Sequence, residues 1–169
     1  MALVTDVGLS TSTSYVSMQE AEIYFEDRLH GTANWEAIDE QEAALITMTR
    51  LLDSYVNNFL GVRTNDDQAL KWPRTGVVTP DGIEVADNII PTPVKHAVLE
   101  LVLSSYNKDR TSDSSLAGLS QVTAGPLTIK SDGGGYESTA PKVIPDHVMQ
   151  LLSELTSSGG IGVVRLVRA

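Results

Sequence analysis

The stretch from Asp39 to Arg74 constrains this chain more than any other. Its first half carries Leu45, Met48, Leu52, Tyr55 and Phe59 at alternating spacings of three and four, which is one face of a helix. Ala44, Leu51 and Val56 widen that stripe, as a core-facing helix needs and a narrow coiled-coil seam does not. Asp39 is placed to cap the first turn, Glu42 three residues on makes an approximate capping box, and Gly61 closes the helix. The Lys71-Trp72-Pro73-Arg74 run cannot continue a helix through Pro73. It is expected as an extended segment that lays Trp72 back onto the helices, with Trp72, Pro73 and Tyr55 assigned to the core.

The flanks supply three further helices. Residues 1–16 read as an N-terminal arm, flexible or extended, because Thr11 to Ser14 are small and polar. Ser17 and Glu20 form a capping box that opens a helix from Met18 to about Leu29, with Met18, Ala21, Phe25 and Leu29 on one face. Trp35 then covers the gap before the central helix. Thr64 to Gln68 is a polar loop, and Pro80-Asp81-Gly82 sets a hairpin near 76–85. Thr92 and Pro93 start a helix that runs to about Lys108, with Val94, Ala97, Val98, Leu101 and Val102 inward. Residues 109–142 are a serine-rich loop and a β-hairpin around Gly125-Pro126, marked by Val122, Leu127 and Ile129. A fourth helix occupies 143–158, and 159–169 is an apolar tail. The expected class is mainly α: a small bundle of about four helices with hairpin or extended excursions and a strand-like C-terminal tail. At 169 residues this is one domain with arms.

The chemistry that such a chain could perform is narrow. With no cysteine it has no disulfides and no thiolate metal site. His30, His96 and His147 are far apart and share no metal-ligand spacing. No Gly-x-Ser-x-Gly occurs, and Gly133-Gly134-Gly135 lacks the lysine of a phosphate loop. No catalytic residue, metal or cofactor is therefore assigned. No signal peptide or membrane span is expected, since the strongest apolar run, His96 to Leu103, is too short.

Charge narrows the partners. The net charge of −10 is concentrated in residues 1–70, where twelve acids face three bases, while residues 71–169 are close to balance. After Glu154 the only charged side chains are Arg165 and Arg168. Single-strand binding needs a basic groove with interleaved aromatics. The candidate is Lys71-Trp72-Pro73-Arg74 with Arg63 nearby, in which Trp72 either stacks a base or is buried against the helices. An acidic body opposes the counterion release that drives such binding. The tail, Val163, Val164, Arg165, Leu166, Val167 and Arg168, either pairs within its own chain or adds a strand to another protein.

Several of these pieces carry a resemblance. They are Ser14-Tyr15-Val16-Ser17 leading to Glu20-Ala21 and Tyr24-Phe25; Trp35; the alanine-leucine helix ending at Tyr55; Gln68-Ala69-Leu70-Lys71-Trp72-Pro73-Arg74-Thr75-Gly76; Asp81-Gly82 before Ile90-Pro91; and Gly162-Val163-Val164-Arg165. In this order, over nearly the whole chain, they resemble the head–tail connector, or head-completion adaptor, proteins of tailed-bacteriophage necks. Some members of that family are labelled DnaT-like single-stranded-DNA-binding proteins, after a primosome component. The resemblance implies a non-enzymatic virion protein of the neck, assembled in the host cytoplasm. It implies a ring of copies, commonly twelve, docked on the portal protein and receiving the tail or a second neck protein. DNA passes through such a ring without specific binding. The C-terminal segment, residues 163–168, would engage the portal, and Val122, Leu127 and Ile129 would meet neighbouring subunits or the tail. The alternative function is a single-stranded-DNA-binding replication module.

Overall fold

The computed structural model describes residues 2–106, 121–124, 127–130 and 142–157. It is helix-rich, with small antiparallel sheets of two strands. The first helix, α1 (Met18–Glu26), starts on the expected capping box: the Glu20 N–H donates to Ser17 Oγ at 3.3 Å, and the Ser17 N–H donates to Glu20 Oε2 at 2.9 Å. It buries Ala21 and Phe25 but ends three residues before Leu29, which is 88% exposed rather than on the apolar face. The left-handed Gly31, φ +107°, then turns the chain into a short second helix, α2 (Thr32–Glu36), whose Thr32 hydroxyl donates to Phe25 O at the end of α1 at 2.7 Å. Trp35 on α2 is buried and stacks on Phe25 with ring centroids 4.7 Å apart.

The central helix, α3 (Gln41–Tyr55), buries Leu45, Ile46, Thr49, Leu51 and Leu52. Both of its expected ends move inward. Glu40 occupies the N-cap without a side-chain cap, so Asp39 is not the cap. At the other end Val56 is already extended, φ −95° and ψ 101°, although the apolar spacing continues to Phe59. Tyr55 is consequently not a core residue: it is 53% exposed. The chain then forms β1 (Val62–Arg63), paired antiparallel with β2 (Arg74–Thr75) in the register Val62 to Thr75 and Arg63 to Arg74.

The expected hairpin follows. Val85 N–H donates to Val77 O and Thr79 N–H to Ile83 O, both at 2.9 Å, around Gly82 at φ +81°. Helix α4 (Thr92–Ser105) begins with Pro93 in its first turn, as expected, but its N-cap is Pro91 rather than Thr92. Val94, Ala97, Val98, Leu99, Leu101 and Val102 are all buried, because α3 packs on one side of α4 and α5 (Asp146–Leu151) on another. Helix α5 is shorter than expected. Its chain leaves the helix after Leu151 so that Leu152 and Leu155 reach the core and Thr156 bridges Phe59. Between α4 and α5, β3 (Gln121–Ala124) and β4 (Leu127–Lys130) pair antiparallel, the pairing expected of a hairpin.

The N-terminal arm is not loose. Thr13 N–H donates to Val4 O at 2.8 Å, and Ala69 N–H to Leu9 O at 3.1 Å, so residues 4–13 fold back and lie against the loop that leads to Trp72. The four-helix expectation thus becomes five helices among the described residues, in a mainly α domain whose core gathers around Trp72, Phe25, Leu52, Val98 and Leu152. None of the described helices is long and apolar enough to cross a membrane.

Candidate functional site

A dense polar construction surrounds the lysine-tryptophan-proline run. Tyr15 and Asp53 are at its centre. The Tyr15 hydroxyl donates to Asp53 Oδ1 at 2.6 Å and accepts the Trp72 N–H at 3.1 Å, while Asp53 Oδ2 accepts the Lys71 N–H at 2.9 Å. Burial pushes the Asp53 carboxyl above its ordinary range, against the hydrogen bonds from Tyr15 and Lys71 that favour its ionised form. Burial also raises the Tyr15 phenol well above its ordinary value, with Asp53 adding to the effect, so Tyr15 stays neutral and keeps its donor.

The two bases of the run are spent on main-chain carbonyls. Lys71 Nζ donates to Val56 O at 2.8 Å and Asn57 Oδ1 at 2.6 Å, which satisfies a carbonyl at the end of α3. Arg74 donates to Leu60 O and Gly61 O, each at 2.6 Å, and to Lys71 O at 3.3 Å. The fork geometry of guanidinium serves several carbonyls of one turn, which an ammonium cannot do. Gln68, 3% exposed, closes the other side by donating to Leu70 O at 2.7 Å and Pro73 O at 3.1 Å and accepting the Asn65 N–H at 3.0 Å. The Trp72–Pro73 bond is cis, and Pro73 is buried.

Trp72 is 1% exposed and meets Phe59 edge-to-face at 5.7 Å. Its indole N–H has no acceptor among the described residues, and it lines a crevice under the arm, beside Asp6, Ser12 and Ile90, too narrow to admit water. In this conformation no base can stack on Trp72. Of the two readings of Trp72, burial is the one observed.

Around this knot lies a surface of its own. Arg63 is exposed, and its Cα partner across the β1–β2 ladder is Arg74. Arg63 and Arg74 both disfavour the charge on Lys71, whose pKa falls first through burial and then through these neighbours, while Asp53 opposes the fall. The pKa of Arg74 is likewise lowered, by burial and then by Arg63. Tyr55 and Val62, both more than half exposed, flank the same end of α3.

The other residues singled out in the sequence are not gathered here. Trp35 is packed on Phe25. Val122 and Ile129 face one another in backbone register, and Leu127 pairs with Ala124, on a hairpin away from the knot in sequence. The tail from Val163 to Arg168 is outside the described residues. Sequence reasoning missed Tyr15, Asp53 and Gln68 as the supports of Trp72. No local signal marks Asp53, which lies about 60° around the helix beyond Val56, off the apolar stripe.

A second polar node ties α1 to α4. Glu100 accepts from Tyr24 Oη at 2.6 Å, is paired with Arg28, and has His147 Nε2 of α5 at 3.8 Å. Lys95 and Glu20 pair alongside it. Among the described residues no set of three acids or histidines is arranged to hold a metal ion.

Comparison with known proteins gives one family. The family model described as "Putative DnaT-like ssDNA binding protein" matches residues 1–169. No curated protein and no solved structure matches the chain. With its full length covered by that model, the chain belongs to the DnaT-like family.

Proposed function

We propose that this protein is a non-enzymatic structural adaptor of a tailed-phage neck, a ring subunit between the portal and the tail. The observation that carries the reading is the inward turn of Lys71-Trp72-Pro73-Arg74. The one basic-aromatic run of the sequence is internal scaffolding, with Trp72 buried and both bases bonded to carbonyls. The body around it is acidic, with a net charge of −10. That sign suits a wall past which DNA moves without sticking, because like charge withholds the counterion-release term. The sequence resemblance supplies the remaining parts: the portal as partner, neighbouring copies, a second neck or tail protein, and the neck of the virion as the location.

The test is co-sedimentation with the cognate portal, followed by electron microscopy. The adaptor reading expects a ring on the outer end of the portal. It also expects removal of Gly162 to Ala169 to abolish docking while the helical signal is retained. A portal that sediments without the protein sinks the reading.

A second reading, a single-stranded-DNA-binding replication module, is favoured by the description of the matching family. It expects salt-sensitive retention of a labelled oligonucleotide in fluorescence anisotropy. Absence of retention at low salt removes it.

A further inference from the structure

Helix α3 is charged oppositely at its two ends. Around its start, Asp39, Glu40 and Glu42 are all exposed, and none is bonded to a base among the described residues. At its finish, Lys71 and Arg74 bond the carbonyls of the departing chain, Arg63 is paired with Arg74 across the ladder, and the half-buried Asp53 is the acid whose charge acts on all three. With 15 residues, α3 holds these ends about 22 Å apart. That is more than the Debye length of about 8 Å at physiological ionic strength, so the ends barely compensate one another within a chain.

The basic end is also set up at a cost to the fold. Arg63 and Arg74 are direct partners across a two-residue ladder, where like charges oppose pairing. Arg74 is occupied by carbonyls, but Arg63 has no hydrogen bond or ion pair among the described residues. A surface built with surplus positive charge and a free, exposed guanidinium is matched to an anionic partner. Tyr55 and Val62 give that surface an apolar rim.

We propose that the basic end of α3 in one copy docks on the acidic start of α3 in the next. This rests on the adaptor reading and names the contact between its neighbouring copies. The two surfaces are different patches of one chain, so the contact is head-to-tail, and it closes into a ring when the rotation between copies permits. A single strand of DNA fits the basic end less well. Three cations neutralise about three phosphates, a small electrostatic gain for single strands, and the acidic remainder repels the strand on either side.

The experiment uses the full chain and two variants, Arg63→Glu and the double substitution Glu40→Lys with Glu42→Lys. Circular dichroism establishes that each variant is folded. Sedimentation velocity is then run from low to high salt, for each protein alone and for the two variants mixed. The expected result is self-association of the natural chain that weakens with salt. Each variant alone loses it by at least about tenfold, and the mixture recovers it, because the reversed charges face each other again. Variants that associate like the natural chain overturn the proposal, as does a natural chain that shows no salt-dependent association. Arg63→Glu that keeps self-association but loses retention of a single-stranded oligonucleotide also overturns it, and makes the basic end a nucleic-acid surface. Portal co-sedimentation of the same proteins separates this proposal from the adaptor reading. Variants that still form the ring on the portal remove the α3 contact and leave the adaptor standing. A natural chain that pairs through α3 but ignores the portal does the reverse.

Discussion

The Tyr15 hydroxyl bridges Asp53 Oδ1, 2.6 Å away, and the Trp72 N–H, 3.1 Å away. One phenol therefore joins the segment before α1, the end of α3 and the cis Trp72–Pro73 turn. Tyr15→Phe keeps the ring and deletes both bonds. The Trp72 N–H is then buried without a partner, which costs about 1–3 kcal/mol for a group so stranded, and the half-buried Asp53 loses a donor. Urea denaturation followed by tryptophan fluorescence should show a lower midpoint with an unchanged slope. A midpoint equal to that of the natural chain would show that the bridge contributes nothing to stability.

Asp53 also sets a pH dependence. Its folded pKa lies above its unfolded value because burial outweighs its hydrogen bonds. The folded state therefore holds the proton more tightly. The favourable contribution of this group is complete below the unfolded carboxylate pKa and is lost as pH rises through the folded pKa. Glu20 has the opposite sign: burial alone would raise it, but Lys95 and Ser17 bring it below its ordinary value. Its contribution is present above the unfolded pKa and lost as pH falls through the folded one. Stability measured by urea titration across the carboxylate range should therefore fall less with rising pH in Asp53→Asn than in the natural chain. Identical profiles would remove Asp53 as the source.

Two glycines at positive φ should respond differently to alanine. Gly61, at φ +66°, would drive a Cβ into the Thr75 carbonyl oxygen and onto the Val77 side chain. Gly82, at φ +81°, has open space where its Cβ would stand. Gly82→Ala should cost about 1 kcal/mol for the left-handed conformation alone. Gly61→Ala should cost clearly more, since backbone must also move. Thermal melts of the two variants test the order, and a Gly61→Ala melt at or above that of Gly82→Ala would contradict the crowding at β1.

Trp72→Ala should behave as a core truncation, lowering stability by about 3–5 kcal/mol. Any oligonucleotide retained by the natural chain should leave Trp72 emission unquenched, because the ring is covered by Phe59 and the N-terminal arm. Quenching of Trp72 by an oligonucleotide, with Trp35 replaced by Phe, would mean that the arm lifts to admit a base.

Much of this fold is legible in the sequence where the signal is local. The Ser17–Glu20 box, the α4 stripe behind Pro93 and the turn at Asp81-Gly82 are each specified within a few residues. The errors occur where distant groups decide. The apolar spacing runs on to Phe59, yet α3 stops at Tyr55 because Lys71 and Arg74 take the carbonyls that follow, while Phe59 turns to meet Trp72. No window around Tyr55 contains that information. Leu29 fails similarly: its spacing fits α1, but the helix ends at Glu26 and leaves it outside. The site divides in the same way. The aromatic-basic run stands out in the sequence, but its supports, Tyr15 and Asp53, are 38 residues apart.

Ser157 is stitched to Asn58 by three bonds: its N–H to Asn58 O at 2.8 Å, its hydroxyl to the same oxygen at 3.3 Å, and its carbonyl to Asn58 Nδ2 at 2.6 Å. Beside it, Leu60 N–H reaches Leu155 O at 2.9 Å. Among the described residues these are the last attachments of the chain. Mechanically, Ser157 and Leu155 are moored to the loop whose carbonyls Arg74 grips. Tension there would be passed to the Trp72 turn before it strained α5.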